Sequence, residues 1–226
     1  FLNGLTATAN ATVNCYPMIQ ISGSSEREPI DLMQGTYEGL DQLNIAKPLV
    51  KAAYRINRPE DIMTGVVRAY RAAVSGRPGG VYLDVTTPCR GAVMDRKAAE
   101  ATLYTPVDLC PAVVPSPRSV ARAMELLAGA KKPVILLGKG AAYAQVDDKI
   151  RKFIEATGVP FYQMSMAKGL LPDNHELSVN SMRSYFMEQA DVVILAGARL
   201  NWLLSRGHGK WSPDSVWESG CIEFNN

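Results

Sequence analysis

Short apolar runs at residues 17–22, 80–85, 133–137, 159–162 and 190–196 alternate with helix-like segments, and this alternation constrains the fold more than any other feature. Runs this short and this poor in polar alternation read as strands buried on both faces. Strands that alternate with helices build a parallel sheet covered on both sides. The expectation is an α/β chain with parallel sheets flanked by helices.

The helical segments carry their own signals. Residues 5–13 are rich in Ala and Thr. Pro59, Glu60 and Asp61 suit a first helical turn, and Ile62, Val66, Val67, Tyr70 and Val74 then recur at helical spacing before Ser75-Gly76 ends the helix. A second series starts at Ser116/Pro117, runs through Val120, Met124, Leu126 and Leu127, and leads into the strand at 133–137. Gly138 then opens a helix extending through Phe153 and Ile154. Between residues 86 and 117 no periodicity survives, and Pro88, Pro106, Pro111, Pro115 and Pro117 crowd the stretch. It reads as a linker, an extended strap between two domains.

With 226 residues, 47% hydrophobic and 20% charged, at a mean hydropathy of -0.05, the composition is that of a globular protein. No stretch approaches the roughly 18 apolar residues of a membrane-spanning helix. A net charge of +2 with scattered cations argues against nucleic acid as a partner. Cys15, Cys89, Cys110 and Cys221 are far apart, and His175 and His208 are the only histidines, which makes a zinc site improbable. Clustered carboxylates for magnesium are also missing. The start lacks the features of a signal peptide, so cytoplasmic localisation with all four thiols reduced, in packing or surface roles, is the expectation. The first residue is Phe1 rather than methionine, and the tail from Trp217 stops abruptly, so the chain is expected to be an internal fragment of a longer protein.

Several turns could carry chemistry. Residues 22–42 follow the first strand, contain Gly23, Gly35 and Gly39, and place Tyr37 beside Glu38, a possible proton donor and carboxylate; a solvated connector is the plainer reading. Gly138-Lys139-Gly140 lies where a strand gives way to a helix, so backbone N–H groups and a lysine could hold phosphate. A glycine turn serving close packing explains it equally well. Gly197-Ala-Arg199-Leu200-Asn201 occupies the same position after another strand, at the edge where open α/β sheets bind ligands. If the two strands are neighbours, Lys139 and Arg199 converge on an anion; otherwise they are unrelated exposed cations. Arg77 sits in a rigid turn, Ser75-Gly-Arg-Pro-Gly-Gly80. Ser165-Met-Ala-Lys168-Gly169 is a further turn, with Met164 and Met166 expected in the core.

Taken in order, Pro17-Met-Ile-Gln-Ile-Ser22, Tyr37-Glu38, residues 75–84, Ile135-Leu-Leu-Gly-Lys-Gly-Ala-Ala-Tyr143, Met164-Ser-Met-Ala-Lys-Gly169 and Gly197-Ala-Arg-Leu-Asn-Trp-Leu-Leu204 resemble the thiamine-diphosphate-dependent decarboxylases. The resemblance runs from Phe1 to about Trp211. It implies the C-terminal part of a pyrimidine-binding domain at residues 1–87, a linker at 88–117, and a truncated, Rossmann-like central domain at 118–226. The implied reaction is that of the branch converting oxalyl-CoA to formyl-CoA and carbon dioxide, with thiamine diphosphate as electron sink and Mg2+ as its partner. Both would be bound largely by segments outside these residues, leaving the fragment inactive alone. The alternatives are a lyase fragment acting on 2-hydroxyacyl-CoA and a non-catalytic ADP-binding module.

The same resemblance implies roles for particular residues. Tyr37 and Glu38 would line the reaction centre, with Tyr37 also touching substrate. Arg77, Lys139, Arg199, Leu200 and Asn201 would hold ADP as an activator. Ser181 and Arg183 would contact the coenzyme A thioester. The complete protein would be a homo-oligomer. The segment Glu218-Ser-Gly-Cys-Ile-Glu223 departs from the family pattern.

Overall fold

The computed structural model describes residues 1–34, 39–111 and 113–207. The chain divides into two units, Phe1–Pro111 and Ala112–Asn226, each with its own parallel three-stranded sheet.

The first unit runs α1 (Leu2–Asn14), β1 (Met18–Ser24), α2 (Arg27–Asp31), α3 (Gln42–Ala46), β2 (Ala52–Ile56), a 3-10 turn (Pro59–Asp61), α4 (Ile62–Val74), β3 (Gly80–Thr86), α5 (Thr87–Gly91) and α6 (Arg96–Ala101). Strand order is β1-β3-β2, with Ser22 and Arg55 both in register with Asp84. One face of β3 packs Val81 and Leu83 with Ile56, Ala69, Ala73 and Cys89; the other packs Tyr82 with Leu5 and Ala46. Helix α1 lies close because its residues are small. A Cβ on Gly80 would come within 2.3 Å of the Thr8 carbonyl oxygen. Gln20 secures the start of the helix, its Nε2 donating to the Phe1 carbonyl at 2.8 Å and its Oε1 accepting from the Thr8 hydroxyl at 2.6 Å.

The structure departs from the sequence reading in several places. Strand β2 was not anticipated. Its run Ala-Ala-Tyr-Arg-Ile carries an arginine and is flanked by Lys51 and Asn57, which hides a strand half-buried along most of its length. Helix α4 turns Gly65, Ala69 and Ala73 to the sheet, whereas Ile62, Val66 and Tyr70 remain 43%, 38% and 45% exposed. The reason is steric: a Cβ at Gly65 would fall 2.5 Å from Ile56 Cδ1, so only the small stripe fits. The expected linker at 88–117 is not an extended strap. It contains most of α5 and all of α6, the latter capped by Asp95, whose carboxylate accepts from the amides of Lys97 and Ala98 at 3.0 and 3.2 Å.

The second unit runs α7 (Pro117–Gly129), β4 (Pro133–Leu137), α8 (Lys139–Tyr143), α9 (Asp147–Thr157), β5 (Phe161–Gln163), 3-10 turns at Ser165–Ala167 and Asn180–Met182, α10 (Arg183–Gln189), β6 (Val192–Ala196) and a final 3-10 segment (Trp202–Gly207). Strand order is β5-β4-β6. The central strand is buried from Val134 to Leu137 because both its faces are covered. Ile135 and Leu137 pack with Leu127, Ile154 and Phe161, while Val134 and Leu136 pack with Val179, Met187 and Leu204. The helix expected from Gly138 through Ile154 is instead two helices. Gln145 between them takes φ 50°, a left-handed conformation that no continuous helix contains. Met164 packs partly buried against the core, but Met166 is 42% exposed.

Candidate functional site

In the second unit the candidate residues gather at the carboxyl ends of parallel strands. This is the edge where open α/β sheets receive ligands.

In the first unit the strand ends carry a chain of ion pairs. Asp84, fully buried on β3, accepts from Arg55 Nε of the neighbouring strand at 2.6 Å. Arg55 Nη2 reaches Asp41 Oδ1 at 3.4 Å, and Arg27 Nη1 meets the same oxygen at 3.3 Å. Arg27 also pairs with Asp31 at 3.0 Å. Arg27 and Asp41 flank the loop that follows β1, so this relay ties both ends of the loop to the middle of the sheet. Asp41 caps α3 through the Asn44 amide at 3.5 Å. Its burial alone would raise the carboxyl pKa, but hydrogen bonds from the Asn44 side chain and backbone, the Arg27 charge and the Arg55 hydrogen bond together hold it below the usual value. Arg55 is likewise opposed by burial, and its bonds and charge interactions with Asp84 and Asp41 raise its pKa further. Tyr82 donates to Gln42 Oε1 at 2.7 Å inside the unit, fastening α3 to the sheet. Its phenol is pushed well above the usual range, first by burial and then by the Asp84 charge.

Among the described residues, the buried side-chain atoms lacking a hydrogen-bond partner are Ser24 Oγ, Asp84 Oδ1 and Ser178 Oγ. Ser24 pairs in register with Thr86, two residues beyond Asp84, so strand alternation places Ser24 and Asp84 on one face of the sheet edge. Tyr37 and Glu38 lie outside the described residues.

In the second unit, the strands preceding the two glycine turns are neighbours: β4 pairs with β6 in parallel, with Leu137 opposite Ala196. The turns touch through their backbones. A Cβ on Gly138 would fall 2.4 Å from Ala198 Cα, and one on Gly197, itself at φ +61°, would fall 2.1 Å from the Ala141 nitrogen. The Gly138 amide donates to Ala196 O and the Gly140 amide to Gly197 O, each at 2.9 Å. These two N–H groups, offered to phosphate by the sequence reading, are therefore used between the turns. The glycines serve close packing, and Lys139 and Arg199 follow the two neighbouring strands at this edge.

The residues following each turn are bound into the same edge. Asn201 Oδ1 accepts from the Leu203 amide at 3.0 Å, and its carbonyl accepts from Leu204 and Arg206 at 3.0 and 2.9 Å, while Leu200 packs against the core. Arg183 lies over the Tyr162 ring at 5.0 Å and donates to the Leu203 carbonyl, so Arg183 and Asn201 hold the Leu203 backbone through its carbonyl and its amide. Ser181 is exposed in the turn before α10. Asn180, beside it, accepts from the Gln163 amide at 2.9 Å and donates to Asp173 at 3.0 Å. The buried Gln163 side chain donates to the Leu171 carbonyl at 3.1 Å and accepts from the Leu171 amide at 3.2 Å.

Arg77 belongs to the first unit. Its Nε donates to Cys15 Sγ at 2.9 Å and its Nη2 to Val13 O at 3.2 Å, at the end of α1. The structure thus brings Lys139, Arg199, Leu200, Asn201, Ser181 and Arg183 to one edge of one sheet, and places Arg77 in the other unit. Sequence reasoning passed over Arg55, Asp84 and Gln163. A charged residue inside the buried run Val-Tyr-Leu-Asp-Val was the available signal, because an aspartate is almost never fully buried unless paired.

Residues 120–219 match the family model of the thiamine pyrophosphate enzyme central domain. Over 223 residues the chain is 54% identical to oxalyl-CoA decarboxylase of Escherichia coli (strain K12), covering 99% of this chain and 40% of that protein. It is 38% identical over 224 residues to 2-hydroxyacyl-CoA lyase of Oryza sativa subsp. japonica, with 94% of the chain and 38% of the relative covered. For 2-hydroxyacyl-CoA lyase of Arabidopsis thaliana the identity is 39% over 221 residues, with the same coverages of 94% and 38%. The chain spans at most 40% of the length of these relatives.

Proposed function

We propose that this chain, whose residues 120–219 match the family model of the thiamine pyrophosphate enzyme central domain, is part of an oxalyl-CoA decarboxylase, a carboxy-lyase that converts oxalyl-CoA to formyl-CoA and carbon dioxide. The observation that carries this reading is the gap between 54% identity to the decarboxylase and 38–39% to the lyases, over nearly the same residues.

Thiamine diphosphate, when bound, would supply the electron sink for loss of carbon dioxide. The residues of this chain bind and orient. Lys139 and Arg199 present a compact ammonium and a planar guanidinium at adjacent strand ends, suited to the phosphates of ADP acting as an activator. Asn201 and Leu200 shape the same edge, and Arg77 is a further ADP candidate. Arg183, stacked on Tyr162 and anchored to the Leu203 carbonyl, is pre-set to meet the phosphates of a coenzyme A thioester, with exposed Ser181 beside it. Tyr37 and Glu38 would stand at the reaction centre; in the sequence they fall between Arg27 and Asp41, which the relay through Arg55 ties to Asp84. No group of three or more His, Cys, Asp or Glu suited to a metal occurs among the described residues, so Mg2+ is assigned to none of them. Cytoplasmic localisation and a homo-oligomeric complete protein belong to the same reading.

The test is turnover by the protein that carries this chain at the full length of its relatives, supplied with thiamine diphosphate and Mg2+. Formyl-CoA should appear as oxalyl-CoA disappears, followed by mass spectrometry. Cleavage of a 2-hydroxyacyl-CoA without formation of formyl-CoA from oxalyl-CoA would replace this reading with the lyase.

A further inference from the structure

Two of the buried oxygens without a partner among the described residues stand at the carboxyl end of the first unit's sheet. Asp84, with no exposed surface, meets Arg55 Nε through Oδ2 at 2.6 Å and leaves Oδ1 unpaired, and Ser24, only 1% exposed, leaves its Oγ unpaired. Strands β1 and β3 run parallel with Ser22 opposite Asp84 and Ser24 opposite Thr86, so Ser24 and Asp84 are diagonal neighbours on one face. The same face carries Tyr82, packed against Leu5 of α1 and Ala46 of α3. Ser178 Oγ, the third such atom, lies in the second unit and has no companion of this kind.

The polar groups around the pair are engaged elsewhere. Thr86 Oγ1 donates to Ile56 O at 3.2 Å, Thr87 Oγ1 to Ser24 O at 2.9 Å, and the Tyr82 hydroxyl to Gln42 Oε1 at 2.7 Å. A buried oxygen without a partner forfeits its hydration, so both atoms favour a guest that hydrogen-bonds to each. Its size follows from the sheet. Neighbouring strands lie about 4.8 Å apart and rise about 3.3 Å per residue, which puts the Cα atoms of diagonal neighbours about 8 Å apart. The two short side chains close part of that gap but make no bond to each other. One water, with a hydrogen bond of about 2.8 Å on either side, spans oxygens about 4.5–5.5 Å apart. A larger guest needs an opening, and both residues are closed from solvent.

We propose that Ser24 Oγ and Asp84 Oδ1 together bind one buried water molecule that is a fixed part of the sheet. The water donates one proton to Asp84 Oδ1 and accepts the Ser24 hydroxyl proton. Its second proton is left for Ser22 Oγ, half-buried directly opposite Asp84, which brings its contacts to the three usual for a buried water. Asp84 is then held from both sides, by Arg55 of β2 and by the water on β1, so its carboxylate links all three strands.

A high-resolution crystal structure of the protein that carries this chain tests the site directly. It should show a water oxygen within about 3.2 Å of both Ser24 Oγ and Asp84 Oδ1. Ser24→Ala keeps the backbone pairing of β1 and removes one contact, so in that variant the water should remain beside Asp84 with reduced occupancy. A direct hydrogen bond between Ser24 and Asp84, a protein group on Asp84 Oδ1, a metal ion in place of the water, or no density at the site would each overturn the proposal. Unchanged occupancy in Ser24→Ala would also overturn it, because Ser24 would then not be a ligand.

Discussion

Asp84 illustrates what one residue demands of its surroundings. A carboxylate with no exposed surface is tolerable only beside Arg55, whose Nε meets it at 2.6 Å, and its second oxygen has no partner among the described residues. Arg55→Met should therefore lower the unfolding free energy by about 3–5 kcal/mol, because it strands a buried charge. The double variant Arg55→Met/Asp84→Leu should recover most of that loss, read from urea midpoints. Asp41, one step outward in the relay, has its folded pKa held below the model-compound 3.8. Its contribution is fully present above that unfolded value and is lost as pH falls through it towards the lower folded value. Between pH 6 and pH 3, Asp41→Asn should lose less stability than the wild type; equal losses would remove Asp41 from the relay's pH dependence.

The relation between elements in the second unit turns on the glycines that join β4 to α8 and follow β6. Gly197→Ala combines a Cβ 2.1 Å from a backbone nitrogen with φ +61°, so it should cost more than about 2 kcal/mol. Gly158→Ala shares the positive φ of +67° but meets nothing within 4 Å, and should cost only about 1 kcal/mol. Thermal unfolding of the two variants separates packing from backbone conformation. At this scale much of the sequence reading matched the structure: the runs at 80–85 and 133–137 became β3 and β4 nearly residue for residue. Apolar continuity between glycine boundaries is a local signal. Strand β2 escaped because its arginine looks like a surface residue until Asp84 arrives from another strand. The stripe Ile62, Val66 and Tyr70 was misleading because helical spacing says which side chains share a face, not which face is small enough to approach a sheet.

For the molecule as a whole, the proposed nucleotide site makes a linked prediction. At a concentration of 100 times its dissociation constant, ADP should stabilise the protein by about 2.7 kcal/mol. Lys139→Ala should reduce that shift, measured as the difference between midpoints with and without ADP; an unchanged ADP shift would remove Lys139 from the site. The sequence by itself determined the α/β class, the positions of the described strands other than β2 and the succession of turns that resembles the thiamine-diphosphate-dependent decarboxylases, because these depend on local pattern and on motif order. Tertiary structure decided what the turns are for. It placed Lys139 and Arg199 just beyond the ends of neighbouring strands while committing the Gly138 and Gly140 amides to the contact between the two turns, and it put Arg77 against Cys15 in the other unit. Those pairings join residues about 60 positions apart, and no local pattern specifies which distant side chain a strand order will bring alongside.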